Sequence, residues 1–147
     1  MKLRKFNLND YEEVVSMHHS FISEVFEDRK INPKYFFHKE VMSWINDSKD
    51  IVVAYKDETI VGYTMCYLDQ FNGLTEPVYT AEICYVKPEY RKTKAAYLLY
   101  KNGYNYSIEL GVPIVVSARV ESGVDVMIEK HFNLEKEFIT YKGVYNG

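Results

Sequence analysis

Residues 81–100 read Ala81-Glu-Ile-Cys-Tyr-Val-Lys-Pro-Glu-Tyr-Arg-Lys-Thr-Lys-Ala-Ala-Tyr-Leu-Leu-Tyr100. An apolar run typical of a β-strand ends at Pro88, and a helical pattern begins after a short turn. The first turn of that helix carries basic and small residues: Arg91, Lys92, Lys94, Ala95 and Ala96. A helix start offers unpaired backbone N–H groups and the positive end of the helix dipole, and small residues let a phosphate approach. The pattern therefore predicts a site for a phosphate-bearing cosubstrate.

A single carboxylate, Glu82, interrupts the apolar strand. Its apolar neighbours favour a buried position, where an unpaired carboxylate requires a reason. A carboxylate placed there can act as a general base, for example by taking the proton of an amine that is charged near neutral pH. The alternative is a structural carboxylate on the solvent-facing side of the strand. Glu82 is the candidate catalytic residue.

The same stretch resembles the signature of the GNAT superfamily of acyl-coenzyme A N-acyltransferases. That signature is a strand, then roughly V-x-P-E-Y-R-G-x-G-x-G/A, then a long helix. The matching residues are Val86, Pro88, Glu89, Tyr90, Arg91 and, at the last small position, Ala96. Lys92 and Lys94 stand where the signature has glycine, and small members associated with phages and mobile elements are similar in carrying a basic residue there. The order of elements fits the superfamily over nearly the whole chain.

The resemblance implies acetyl-coenzyme A as cosubstrate. It implies that the backbone groups of Cys84, Tyr85 and Val86 pair with the pantetheine arm as an added strand would. The phosphates would meet the side chains of Arg91, Lys92 and Lys94 and the amides around Ala95 and Ala96. A solvated basic helix turn is the alternative for this segment.

The resemblance also implies how the reaction proceeds. Several GNAT enzymes place a general-base glutamate where Glu82 stands. Many use a tyrosine on the last helix to protonate the leaving thiolate, but Ile128 occupies that position here. Protonation by water is one substitute, and other tyrosines are further unranked substitutes: Tyr97, Tyr100, Tyr104 and Tyr141.

Hydrophobic periodicity predicts an α/β chain in the order β-α-α-β-β-β-α-β-α-β. The predicted strands are 3–6, 51–55, 60–68, 78–86, 114–118 and 138–142, and the helices run from 9 or 10 to 26, from 32 or 33 past 45, from 91 to 110 and from a capping box at 122–125. A meander followed by a βαβ unit implies a mixed sheet with helices on both faces. This order agrees with the GNAT fold, whose fourth and fifth strands splay apart, and it predicts one domain over residues 1–147.

Composition excludes several classes of function. The net charge of −3 and the absence of a long basic stripe argue against nucleic-acid binding. No apolar run is long enough to span a membrane and the N-terminus lacks the apolar core of a signal peptide, so a cytoplasmic protein is expected. Two cysteines, Cys66 and Cys84, are expected to be free thiols, and the four histidines lack metal-ligand spacing.

The leading hypothesis is an N-acetyltransferase that moves an acetyl group from acetyl-coenzyme A to a primary amine in a ternary complex. The acceptor would be a small molecule or an exposed protein amine, and a homodimer is left open. The competing hypothesis is a degenerate GNAT-fold protein that binds coenzyme A or another protein without catalysis. The departures at Lys92, Lys94 and Ile128 favour the second hypothesis.

Overall fold

The computed structural model describes residues 1–26, 33–70, 75–118 and 123–135. The strand predicted at 138–142 and the Ser122 end of the predicted capping box lie outside these residues. The chain forms two compact units, Met1–Ser117 and Ala118–Gly147. The first unit holds the sheet and three helices, and the second contributes one described helix.

The secondary structure follows the predicted order as far as it is described. The strands are β1 (Lys2–Lys5), β2 (Asp50–Lys56), β3 (Thr59–Asp69), β4 (Val78–Val86) and β5 (Ile114–Val116). The helices are α1 (Tyr11–Val25), α2 (Pro33–Asn46), α3 (Ala95–Leu110) and α4 (Val124–Phe132). The sheet order is β1-β2-β3-β4-β5, with β5 parallel to β4 and the other pairs antiparallel. The predicted mixed sheet is confirmed. No helix in the described ranges has the length and apolar character needed to cross a bilayer.

Both faces of the sheet are covered, because the side chains of each strand alternate. One face carries α1 and α2 over a large core that includes Met17, Phe37, Trp44, Tyr63 and Tyr85. The other face carries α3 over a smaller core: Ala54, Val61, Val86, Ala95 and Leu99. The sheet is therefore held between helices, and β4 contributes buried side chains to both cores.

Several boundaries differ from the prediction. Helix α3 begins at Ala95 rather than Arg91, because Pro88–Tyr90 forms a 3-10 turn and residues 91–94 continue it as an irregular turn. Strand β5 ends at Val116 rather than Ala118. Helix α4 has Gly123 as its N-cap residue, with a positive φ of 83° and no side-chain cap.

Two buried glycines in the first unit should respond to alanine with opposite signs. A Cβ at Gly62 would lie 2.6 Å from the backbone oxygen of Tyr85, which is fixed in the β3–β4 ladder. A Cβ at Gly103 in α3 would meet its nearest neighbours, Cys66 Sγ and Tyr79 Cε2, at an ordinary 3.9 Å. We expect Gly62→Ala to destabilise the fold by about 1–3 kcal/mol. Gly103→Ala should stabilise it by about 0.5–1 kcal/mol through helix propensity. Urea unfolding measures both, and equal signs would contradict this packing.

Candidate active site

Glu82 lies at a bulge in the β3–β4 ladder. Met65 pairs with Ile83 and Cys66 pairs with Ala81, so Glu82 has no cross-strand partner on β3. A bulge leaves one residue unpaired and re-aims its side chain. The side chain of Glu82 is exposed, although Ala81 and Ile83 on either side are buried. The prediction of a buried carboxylate is therefore wrong, because the neighbouring apolar residues point to the cores while the bulge turns Glu82 to solvent.

The edge of β4 that faces β5 is open beyond the bulge. Strand β5 pairs only with Tyr79–Ala81, and within the described residues no strand pairs with β4 on that side after Ala81. The amide of Lys87 donates to the carbonyl of Val61 at 2.9 Å. Since backbone groups alternate along a strand, Cys84 and Val86 direct theirs to the open edge and Tyr85 directs its own to β3. Of the three predicted pantetheine-pairing residues, Cys84 and Val86 thus have the required orientation.

Arg91 lies beside this open edge and already has partners. Its Nε donates to the Val86 carbonyl at 2.9 Å, and its Nη2 donates to both carboxylate oxygens of Glu24 on α1 at 2.7 and 2.8 Å. The guanidinium also lies 5.5 Å from the centre of the Tyr85 ring. Arg91 was predicted to meet a phosphate, but here its side chain joins β4 to α1. A phosphate contact from Arg91 would have to compete with Glu24.

The turn before α3 offers backbone donors at its surface. Thr93 accepts from the amide of Ala95 at 3.3 Å, and its own amide donates to Tyr90 at 3.1 Å. The amides of Lys92, Lys94 and Ala96 have no acceptor among the described residues. Unpaired amides at a helix start can bind an anion. The Ala95 side chain is fully buried, so its role is packing, whereas Lys92 and Lys94 are exposed.

Lys94 occupies its position without backbone strain. It is the N-cap residue of α3, with φ −75° and ψ 0°, a conformation open to any L-residue. The glycine of the signature is therefore not required here by the dihedral angles. The lysine side chain is exposed, so it can adopt rotamers that place its ammonium close to an anion at the turn or far from it.

A bulged strand with an open edge thus leads into a helix start with unpaired amides. The acetyltransferase (GNAT) family profile matches residues 12–129. The chain belongs to the GNAT acetyltransferase family.

Solved structures similar to this chain share the GNAT fold at low sequence identity. A probable acetyltransferase superposes with a TM-score of 0.77 at 16% identity, covering 100% of this chain and 99% of its own. An aminoglycoside acetyltransferase from an uncultured soil metagenomic sample, solved with sisomicin, gives 0.73 at 15% identity, covering 99% and 96%. An aminoglycoside 6'-N-acetyltransferase from Acinetobacter haemolyticus gives 0.70 at 13% identity and covers 100% of both chains. No curated protein sequence matches significantly.

Burial accounts for three groups in and near this GNAT site, the thiols of Cys66 and Cys84 and the phenol of Tyr100. Cys66 and Cys84 are free thiols, as predicted, and burial raises the pKa of each to about 12. Cys84 also neighbours Tyr100, a buried residue of α3 whose pKa burial raises well above its ordinary value. A thiol that stays protonated is a poor nucleophile, so Cys84 acts here through its backbone and its volume. Tyr100 is a weak candidate for a general acid for the same reason.

Sequence reasoning missed two residues that the structure brings to the site. Tyr67 on β3 is a diagonal cross-strand neighbour of Glu82 on β4, and Glu24 on α1 accepts two hydrogen bonds from Arg91. Neither carries a local motif. A strand-pairing argument would have placed Tyr67 near Glu82, since residues 60–68 and 78–86 were predicted as neighbouring strands.

Proposed function

We propose that this GNAT protein is an N-acetyltransferase that moves an acetyl group from acetyl-coenzyme A to a primary amine in a ternary complex. One observation carries the proposal: the edge of β4 that is open at Cys84 and at the amide of Val86 leads to the free amides of Lys92, Lys94 and Ala96. A strand edge suits the amide-bearing pantetheine arm. Amides at a helix start suit the pyrophosphate at its end.

The proposed chemistry assigns one proton transfer to Glu82. The amine nitrogen attacks the thioester carbonyl carbon, so a C–N bond forms and the C–S bond breaks. Glu82 accepts the proton that the nitrogen loses, either directly or through one water. Its exposed position suits this role, because an acceptor arriving from solvent can reach it. The departing thiolate takes its proton from water, since Ile128 has none to give.

The acceptor is proposed to be a small primary amine or an exposed protein amine. The structural likeness to aminoglycoside acetyltransferases, whose substrates carry amino groups, is consistent with that class. The acetyl group as the donor's acyl chain belongs to the same proposal. The cytoplasmic location, the single-domain organisation, the absence of nucleic-acid partners and the homodimer stay predictions from the sequence.

The test is a transfer assay with labelled acetyl-coenzyme A and a panel of amines that includes polyamines, aminoglycosides and lysine peptides. We expect label in at least one amine, with release of an equal amount of coenzyme A thiol. Coenzyme A binding without transfer to any amine would favour the non-catalytic hypothesis. Two observations favour that alternative. The guanidinium of Arg91 is already bonded to Glu24, and isoleucine stands at position 128 instead of tyrosine.

Lys94 should strengthen coenzyme A binding. Lys94 is the N-cap residue of α3 and has no backbone strain. Its exposed side chain can extend past the free amides without covering them, so that the ammonium reaches a phosphate oxygen. A charge-assisted contact contributes about 1.5–3 kcal/mol when well formed and less when exposed. We therefore expect Lys94→Ala to weaken binding by about three- to thirtyfold, with a larger effect at low salt. Calorimetric titration measures the change.

The matched control is Lys56→Ala, which removes an exposed lysine from the end of β2 and changes the net charge equally. It should leave the dissociation constant within twofold. Tighter binding by Lys94→Ala or Lys94→Gly would show that the lysine obstructs the site and would favour the non-catalytic hypothesis.

A further inference from the structure

The guanidinium of Arg91 lies on the open edge of β4, over a backbone group that a ligand would use. The carbonyl of Val86 points to that edge, because the amide of the next residue, Lys87, donates to Val61 on β3 at 2.9 Å. Arg91 Nε donates to the Val86 carbonyl at 2.9 Å. An amide of an added strand or of a pantetheine arm would bond to the same oxygen. The arginine therefore covers the last acceptor that β4 offers before the turn.

Glu24 on α1 holds the guanidinium in that place. Arg91 Nη2 donates to both carboxylate oxygens of Glu24, at 2.7 and 2.8 Å. The guanidinium also lies 5.5 Å from the centre of the Tyr85 ring, and that ring meets Phe21 of α1 edge-on, with centroids 6.5 Å apart. A planar guanidinium that is bonded on two sides keeps one orientation. Arg91 is thus fixed between α1 and β4.

The pair of Glu24 and Arg91 can be reached by an anionic ligand. The two side chains are 38% and 45% exposed. Glu24 lies in the last turn of α1, where the helix dipole disfavours a negative charge, and that turn carries no basic residue. A phosphate group bonds to a guanidinium as a carboxylate does. Glu24 and a phosphate therefore compete for the same donors of Arg91.

We propose that Glu24 is a positioning residue of the coenzyme A site that acts through Arg91: it holds the guanidinium on the Val86 carbonyl and so lowers the affinity for the cosubstrate. This inference rests on the proposed function. When the pantetheine arm enters, Arg91 leaves the Val86 carbonyl and exchanges Glu24 for a phosphate oxygen. Because such coupling is reciprocal, bound coenzyme A weakens the connection between α1 and β4.

The test compares coenzyme A binding by wild type and by Glu24→Gln in calorimetric titrations at several salt concentrations. We expect the dissociation constant of the variant to be about three- to tenfold lower, because the competing ion pair is lost. Its affinity should also fall more steeply with salt, since the wild type exchanges one ion pair for another whereas the variant forms a new one. A merely structural role of Glu24 would not change this slope.

Glu12→Gln is the matched control. Glu12 lies at the other end of α1, its side chain is 80% exposed, and its loss changes the net charge equally. We expect the dissociation constant and its salt dependence to match those of the wild type.

A double-mutant cycle shows whether Glu24 acts through Arg91. In the Arg91→Met background, Glu24→Gln should change the dissociation constant by less than about twofold, because the guanidinium that Glu24 holds is gone. Equal tightening in both backgrounds would show that Glu24 repels the phosphates directly, and weaker binding by Glu24→Gln would show that it orients Arg91 toward the ligand. Either result, or an unchanged dissociation constant, would overturn the inference and leave the proposed function intact. No coenzyme A binding by either the wild type or Glu24→Gln would overturn both.

Discussion

Glu82→Gln should lower kcat for acetyl transfer by roughly 10²–10⁴ while leaving coenzyme A binding nearly intact. The amide cannot accept the amine proton, but it has almost the same shape as the carboxylate. Glu82 is exposed at the β4 bulge and has no cross-strand partner on β3. The substitution should therefore change the fold little. Steady-state kinetics with the best acceptor of the panel, combined with calorimetric titration of coenzyme A, measures both quantities.

Glu58→Gln is the matched control for that variant. Glu58 is an exposed carboxylate in the turn between β2 and β3, so its loss changes the net charge equally. It should keep wild-type kcat. Equal activity of Glu82→Gln and wild type would show that Glu82 is structural, and the base would have to be sought elsewhere.

His18→Ala should destabilise the protein by about 3–5 kcal/mol. His18 on α1 is completely buried. Its Nδ1 lies 2.9 Å from the hydroxyl of Tyr63, and its Nε2 lies 3.0 Å from a carboxylate oxygen of Glu40 on α2. The Trp44 ring packs edge-on, with centroids 4.6 Å apart. Alanine would leave a cavity and a buried phenol without its hydrogen-bond partner.

Tyr63→Phe separates the two contributions to that loss. It keeps the ring in the core and removes only the hydroxyl that meets His18, so we expect a loss of about 0.5–1.5 kcal/mol. Urea unfolding followed by Trp44 fluorescence measures both variants. A loss below about 1 kcal/mol for His18→Ala would contradict the tight packing described here.

Local signals in the sequence were sufficient for the order of elements. The positions of proline and glycine and the spacing of hydrophobic residues place β4, the turn and α3 within a few residues. These signals suffice because the ends of each element depend on residues that are close in the chain. The start of α3 shifted from Arg91 to Ala95 because the hydroxyl of Thr93 bonds Tyr90 and Ala95 and holds the turn outside helical geometry. Such side-chain to backbone bonds compete with the helix in ways that propensity does not reveal.

The chemistry of the site depends on long-range pairing, which the sequence does not display. The apolar neighbours of Glu82 predicted burial, but the bulge is set by how β3 and β4 pair, and it turns the carboxylate to solvent. The bond between Arg91 and Glu24 spans 67 residues, and the contact of His18 with Tyr63 spans 45. Periodicity alone identified neither pair. The family resemblance supplied the site residues, and the structure adds two contacts that the sequence did not display: Arg91 with Glu24 on α1, and the buried Ala95 side chain in the smaller core.

Calorimetric titration of the wild-type protein with coenzyme A tests the central claim most directly, because every proposed role depends on a ligand held between the β4 edge and the α3 start. We expect saturable binding with a dissociation constant in the millimolar range or tighter. Ligand at about 100 times that constant should then stabilise the native state by about 2.7 kcal/mol. The absence of both heat and thermal stabilisation at saturating coenzyme A would contradict the account.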